Sequence, residues 1–345
     1  MNNPVHHKIV TDGLLQHYIS IGTGPVVLCM HGWPQNHREF LPVIEGLSDR
    51  YRFIAPDLRG YADSGKPYDG YEPKTIAQDM LALLAAERVE KFHILSHDLG
   101  GPPSVALAYM ASDRALSLAT VETPFFGLNY AGYVDPRVPY WHLSMHMNMD
   151  ITRFLVEGRE EQYLRHFFRD FAYNPAAVPE EEVIRYATQM RQPGNLRASL
   201  NHYGYIPQMA EQTSELAKNK LTVPMLAWAG RVSFGDHCFN SGRRLPSPPR
   251  AVSSKNAATG SSRKKPNSSE PNSTNFGKHP QNDNAHAIHC FKGFCSTHSP
   301  GCIGLASGRR RWKLEGLPKS PRATASNTFP MHSSARNMAL KRATP

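Results

Sequence analysis

The chain alternates short, nearly continuous apolar runs with stretches whose apolar residues recur at helical spacing. Residues 26–30 are the first such run, Val-Val-Leu-Cys-Met, and it stops at His31-Gly32-Trp33-Pro34. Residues 53–56 lead into Asp57-Leu58-Arg59-Gly60. Residues 92–96 form a third run, residues 118–121 a fourth that ends at Glu122, and residues 221–229 a fifth. Short apolar runs bounded by turn residues read as strands buried on both faces. Residues 76–87, and the stretch after residue 100 to about Met110, carry the apolar spacing of helices. Strand and helix in alternation predict an α/β fold, a mostly parallel sheet flanked by helices. From about 130 to 212 the pattern is aromatic-rich and helical with no strand signal, as expected of an inserted helical cap. The expected organisation is a core over 1–129, a cap over 130–212, the core again over 213–240, and an extension over 241–345. There is no internal repeat.

At 345 residues and 40% hydrophobic content the chain can bury a sizeable core. Its net charge of +10 would by itself suggest an anionic partner such as nucleic acid. The charge is uneven, however. Residues 1–240 hold 21 Lys and Arg against 26 Asp and Glu, a net of −5, whereas residues 241–345 hold 18 against 3, a net of +15. The extension also carries 16 Ser and 11 Pro and no sustained period. Such a composition cannot offset chain entropy by apolar burial, so disorder is expected there. Nucleic acid is therefore not an expected partner of the core. No apolar run reaches ~18 residues, and residues 1–12 lack a signal-like stretch, so the expected location is cytoplasmic. Cys29 and Cys238 are expected to be reduced there.

The chemistry concentrates at Ser96-His97-Asp98-Leu99-Gly100-Gly101, between a strand and a helix. Small residues on both sides of a central nucleophile permit the sharp turn that lifts its side chain above a sheet. The central residue is Asp98. A carboxylate can attack an sp³ carbon and form an alkyl–enzyme ester, whereas it is poorly suited to ordinary acylation. The competing reading is that Asp98 only caps the following helix. His31-Gly32-Trp33-Pro34 is expected to supply the Trp33 N–H beside that of Leu99 as an oxyanion hole, with His31 bonded to loop backbone. The segment 57–64 is expected to be a structural turn held by its charges.

These motifs, in this order over residues 20–237, resemble the cap-containing α/β-hydrolases with an aspartate nucleophile: epoxide hydrolases, haloalkane dehalogenases and fluoroacetate dehalogenases. Fluoroacetate dehalogenases carry arginines after the nucleophile, where this chain has Leu99, Pro102 and Pro103. Haloalkane dehalogenases place a Trp directly after it, where this chain has Leu99. Tyr140-Trp141-His142-Leu143-Ser144-Met145-His146 and Asn195-Leu196-Arg197-Ala198-Ser199-Leu200-Asn201-His202-Tyr203 resemble a bacterial epoxide hydrolase subgroup whose caps hold the epoxide oxygen with a His and a Tyr. The resemblance implies His142 and Tyr203 in those roles, with Tyr140, His146, His202 and Tyr205 as neighbouring candidates. It also implies an acid that orients a catalytic His, either Glu122 or Asp236, of which Glu122, ending an apolar strand, is favoured. The expected partners are a small epoxide and water, with no metal or cofactor; oligomeric state is left open. The alternatives are a haloalkane or haloacid dehalogenase-like hydrolase, or an inactive truncated hydrolase whose basic tail is a binding module.

The family's Gly-His-Trp-like segment, which brings the water-activating His, is absent from residues 241–345. Back-translating Asn256-Ala257-Ala258-Thr259-Gly260-Ser261-Ser262-Arg263-Lys264-Lys265 in a shifted frame permits Cys-Gly-His-Trp-x-x-Pro-Glu-Glu. In the same frame Val252-Ser253-Ser254-Lys255 permits Val-Val-Glu. The expectation is a frameshift between about Ser241 and Arg250, with the family's last strand, catalytic His and terminal helix lost. On that view the zinc-like His286, His289, Cys290, Cys295, His298 and Cys302, whose spacing matches no standard site, and the basic Arg309-Arg310-Arg311, carry no function.

Overall fold

The apolar runs become strands because both of their faces are covered. In β3 (Val26–Met30) Val27 and Cys29 point to one side and Leu28 and Met30 to the other, and all four are buried. This computed structural model describes residues 4–128, 140–172, 174, 176–229 and 245. The other described strands are β1 (Val5–Thr11), β2 (Leu14–Ile21), β4 (Arg52–Pro56), β5 (Phe92–His97), β6 (Ala115–Val121) and β7 (Met225–Trp228). They form one sheet in the order β1-β2-β4-β3-β5-β6-β7. Pairing is parallel from β4 through β7 and antiparallel for β1 with β2 and β2 with β4.

One face of the sheet packs Val27, Cys29, Phe53, Ala55 and Leu95 against Val43, Ile44 and Leu47 of α1 (Leu41–Leu47). The other packs Leu28, Met30, Ile54, Ile94 and Leu118 against α2 (Pro73–Ala86) and α3 (Gly101–Met110). The strand order reverses about β3, which lies between β4 and β5. Crevices beyond the carboxyl ends of strands form at such a switch point. Met30 pairs with Ser96, so the loop after β3 and the turn after β5 leave the sheet side by side.

Between β6 and β7, where only helices were expected, lie α4 (Trp141–Met147), α5 (Met149–Val156), α6 (Glu160–Phe171), α7 (Glu180–Met190), α8 (Asn195–Gly204) and α9 (Ile206–Leu216). The last of these runs past residue 212 and packs on α2 and α3.

Two sequence expectations change. The β1–β2 hairpin was not anticipated. Its turn is Asp12-Gly13, both at positive φ (49° and 79°), the backbone that joins two strands through a two-residue loop. The strand expected over 221–229 narrows to Met225–Trp228 because Pro224 has no N–H to give the ladder. Its carbonyl still accepts the Leu118 N–H at 2.9 Å. Among the described residues no helix is long and apolar enough to cross a membrane. The extension over 241–345, apart from the buried Leu245, lies outside the described residues.

Candidate active site

The chain leaves β5 in extended backbone at His97 (φ −131°, ψ 146°) and turns at Asp98, whose φ is +44°. A left-handed backbone at a residue with a Cβ costs on the order of 1 kcal/mol, and surrounding contacts must hold it. Two glycines allow the approach. A Cβ on Gly100 would collide with the Met30 and His31 carbonyls, and one on Gly32 would lie 2.5 Å from the Asp98 Cβ. The carboxylate is thus pressed against the loop after β3. There Oδ2 accepts the Trp33 N–H at 3.0 Å, and the Leu99 N–H is a second backbone donor to the same group. Burial pushes the Asp98 carboxyl up to about 6, against the opposing pull of His97 and the two N–H groups.

His97 is held by a residue that sequence reasoning passed over. Glu39, in the short 3-10 turn His37–Phe40, is 2% exposed. Its Oε1 lies 3.0 Å from His97 Nδ1, and its Oε2 accepts the Gly32 N–H at 3.2 Å. Burial acts to lower the His97 pKa, but the Glu39 carboxylate, helped by Asp98 and Glu122, more than offsets it and holds the imidazole at about 9. A charged imidazole therefore stands beside Asp98 at neutral pH. Burial acts to raise Glu39, but His97, His31 and the Gly32 N–H together leave it below the usual carboxylate range.

The helices between β6 and β7 supply an aromatic wall. The Trp33 ring lies 4.4 Å from His146, 4.9 Å from Phe167 and 5.7 Å from Tyr203, centroid to centroid. His146 Nε2 is 2.5 Å from the Tyr163 hydroxyl, and its ring is 4.4 Å from Tyr203. His142, one turn earlier on the same face of α4, is 6.1 Å from Tyr203 and packs at 4.6 Å on Phe171. Burial lowers His142 to about 3 and His146 well below its ordinary value, so both rings are neutral and each carries one N–H. Burial, and next the Asp98 charge, raise the hydroxyl pKa of both Tyr203 and Tyr61, so each lies within electrostatic reach of that carboxylate. Trp33 Nε1, the Tyr61 hydroxyl, His142 Nδ1 and His146 Nδ1 are buried and find no hydrogen-bond partner among the described residues. Unpaired buried polar atoms of this kind mark places where a ligand or water belongs.

The structure thus brings Asp98, Trp33, Leu99 and Tyr203 together, and it sets His146 closer to Tyr203 than His142. Glu122 follows β6 at φ +46°, donates its N–H to the Trp228 carbonyl at 2.9 Å, and adds to the field on His97. The competing acid Asp236 lies outside the described residues. His202 and Tyr205 are engaged elsewhere: His202 Nε2–H donates to the Arg59 carbonyl at 2.9 Å, and the Tyr205 hydroxyl accepts the Gly70 N–H at 3.3 Å. Tyr140 is buried at the start of α4. His31 has both nitrogens occupied, Nδ1–H on the Gly32 carbonyl and Nε2 on the Leu58 N–H, each at 3.0 Å. In the segment 57–64, Arg59 makes a two-pronged pair with Asp79 at 2.6 Å on each arm. Tyr61, Glu39 and Tyr163 are the site neighbours not anticipated. Tyr61 sits inside a segment read only as a turn, and Tyr163 lies on a strongly amphipathic helix whose face could be assigned only after folding.

Residues 25–174 match the family described as the alpha/beta hydrolase fold. Over 240 residues the chain is 33% identical to a soluble epoxide hydrolase of Corynebacterium sp. (strain C12), spanning 67% of this chain and 82% of that protein. It is 26% identical over 259 residues to epoxide hydrolase 3 of Siraitia grosvenorii, spanning 65% and 80% respectively. The epoxide hydrolase CorEH, solved without ligand, superposes with a TM-score of 0.65 at 30% identity over 73% of this chain and 91% of that one. The family match takes in both the loop after β3 and the Asp98 turn, and the 33% identical relative is spanned over most of its length: the chain belongs to the α/β-hydrolase family.

Proposed function

We propose that the chain is an epoxide hydrolase-type enzyme with Asp98 as nucleophile. The observation that carries this reading is a carboxylate, not a hydroxyl or thiol, at the turn after β5, with the Trp33 and Leu99 N–H groups trained on it. The names of the relatives support the substrate class. In the first step an Asp98 oxygen attacks an epoxide carbon and forms a C–O ester bond. The ring C–O bond breaks, and its electron pair goes to the ring oxygen, which takes a proton from the Tyr203 hydroxyl. His142 or His146 donates an N–H to the same oxygen. The ester carbonyl oxygen then faces the two backbone N–H groups, which stabilise the oxyanion when water attacks. The second step needs a base for that water. His97, charged at neutral pH, cannot accept a proton there. Glu122 orients the missing His in this reading, with Asp236 as the alternative acid.

The arrangement supports reading 130–212 as a cap that carries His142, His146 and Tyr203 over a core of 1–129 and 213–240. The lack of a Gly-His-Trp-like segment in residues 241–345, together with its reappearance in a shifted frame, supports reading them as an out-of-frame extension. Sequencing the transcript across codons 238–262 tests the latter; the idea dies if no single-base change restores Cys-Gly-His-Trp.

Incubating the full chain with styrene oxide and measuring intact mass tests the function. The expected result is one adduct of epoxide mass that accumulates faster than it decays. Absence of both adduct and diol removes the proposal, and halide release from a haloalkane with no epoxide adduct replaces it by the dehalogenase reading. Tyr203→Phe, which keeps the buried ring and removes only the hydroxyl, is expected to slow adduct formation about 100-fold. A rate within twofold of the parent assigns the protonation elsewhere.

A further inference from the structure

A second cluster of chemistry-bearing side chains lies among β1, β2, the turn His37–Phe40 and the end of β4, and the reaction uses none of it. Asp57, immediately after β4, has a fully buried carboxylate. Oδ2 accepts the Nδ1–H of His17 and Oδ1 the Nδ1–H of His37, both at 2.6 Å. The backbone N–H groups of His37 and Asp63 donate to the same carboxylate at 3.1 and 3.3 Å. A ligating atom of each of His17, His37 and Asp57 lies within 4.8 Å of the others.

The carboxylate settles the tautomers. With Nδ1 protonated and bonded to Asp57, His17 and His37 each present Nε2 as a lone pair, as metal-bound histidines do when a carboxylate holds the other nitrogen. His17 Nε2 faces His6 Nδ1 at 3.0 Å. The ring centroids are 5.2 Å apart for His6 and His17, 5.6 Å for His6 and His37, and 5.1 Å for His17 and His37. Three imidazoles around one tetrahedral ion, with metal–nitrogen distances near 2.0 Å, have facing nitrogens about 3.3 Å and centroids about 5 Å apart. His6 is exposed, so a small movement of its side chain opens the gap from the solvent side.

We propose that His6, His17 and His37 bind a divalent transition cation of the zinc class, with Asp57 orienting the two buried imidazoles. Imidazole donors select zinc-like ions over magnesium or calcium. The ion ties the edge hairpin to the loop between β3 and α1. Its role is structural, since the proposed reaction uses none of these side chains.

The test uses the full chain, stripped with chelator, reloaded with Zn²⁺, freed of excess by gel filtration and assayed for metal content. Zinc held by Cys and His residues of the extension is common to all variants and cancels in the difference. The expected result is one equivalent more in the parent than in His6→Ala, and a zinc-dependent rise in Tm of about 5 °C that His6→Ala lacks. His17→Gln, whose amide can still donate to Asp57, is expected to lose the same equivalent. Equal zinc content in the parent and His6→Ala overturns the proposal. His6 is an exposed residue of an edge strand, so this variant keeps the fold. A loss confined to His17→Gln equally overturns the three-imidazole assignment.

Discussion

Asp98→Asn is expected to abolish the covalent adduct: in intact-mass measurements with styrene oxide, the rate falls at least 10⁴-fold below the parent. Asn is chosen because it tolerates the left-handed backbone at this position, so the turn and the Trp33 N–H contact site survive. The parent's pH profile is fixed by the same group. On the proposed mechanism only the ionised carboxylate attacks, and burial holds its pKa at about 6. The adduct rate should therefore be level above pH 7 and fall tenfold per unit below pH 6. The same burial carries a stability consequence of opposite sign to the activity. The folded pKa lies above the unfolded value near 3.8, so the group favours folding below about pH 4, and that contribution is lost as pH rises through about 6. At pH 7 the ionised carboxylate costs the fold up to about 3 kcal/mol. Asp98→Asn removes the charge and should raise the urea midpoint at pH 7 while leaving it unchanged near pH 4. A variant that is inactive and no more stable than the parent at pH 7 argues against a strained, desolvated nucleophile.

What was legible in the sequence follows from how local each signal is. β3, β4, β5 and β6 could be read because strands covered on both faces must be apolar throughout. The Asp98 turn could be read because its steric requirements, small residues around a left-handed position, fall within six consecutive residues. The β1–β2 hairpin could not be read from apolar runs. Its outer strand lies at the sheet edge with Val5 and Val10 largely exposed, and only the Asp12-Gly13 turn announces it. Glu39 was invisible for a different reason. His37-Arg38-Glu39-Phe40 looks like a solvated turn, and it is the return of the loop beneath β5 that buries the carboxylate against His97. The His6, His17, His37 and Asp57 cluster is likewise a product of pairing. His17 is brought to Asp57 by the antiparallel ladder of β2 and β4, over 40 residues of chain. The same limit applied to the wall of the site, where α4 presents both His142 and His146 on one face and only packing shows which lies against Trp33.

The Glu39–His97 pair predicts an alkaline loss of stability that one substitution removes. His97 is held at about 9 against an ordinary value of 6.5. Its folded pKa is raised, so the stabilisation is complete below about pH 6.5 and disappears as pH rises through about 9. Its size is about 3 kcal/mol, counted once for the pair. The parent's urea midpoint should therefore fall steadily between pH 6.5 and 9.5. Glu39→Gln keeps an oxygen for the Gly32 N–H and removes the charge. It should be destabilised by about 3 kcal/mol at pH 6.5, by little at pH 9.5, and show a nearly flat profile between. Because the His97 charge also pulls the Asp98 pKa down, its loss should move the acid limb of adduct formation to higher pH. A merely structural Glu39 would not shift that limb. A Glu39→Gln protein that keeps the parent's alkaline slope would instead mean that His97 is neutral in the fold. The nucleophile would then be tuned by its backbone donors alone.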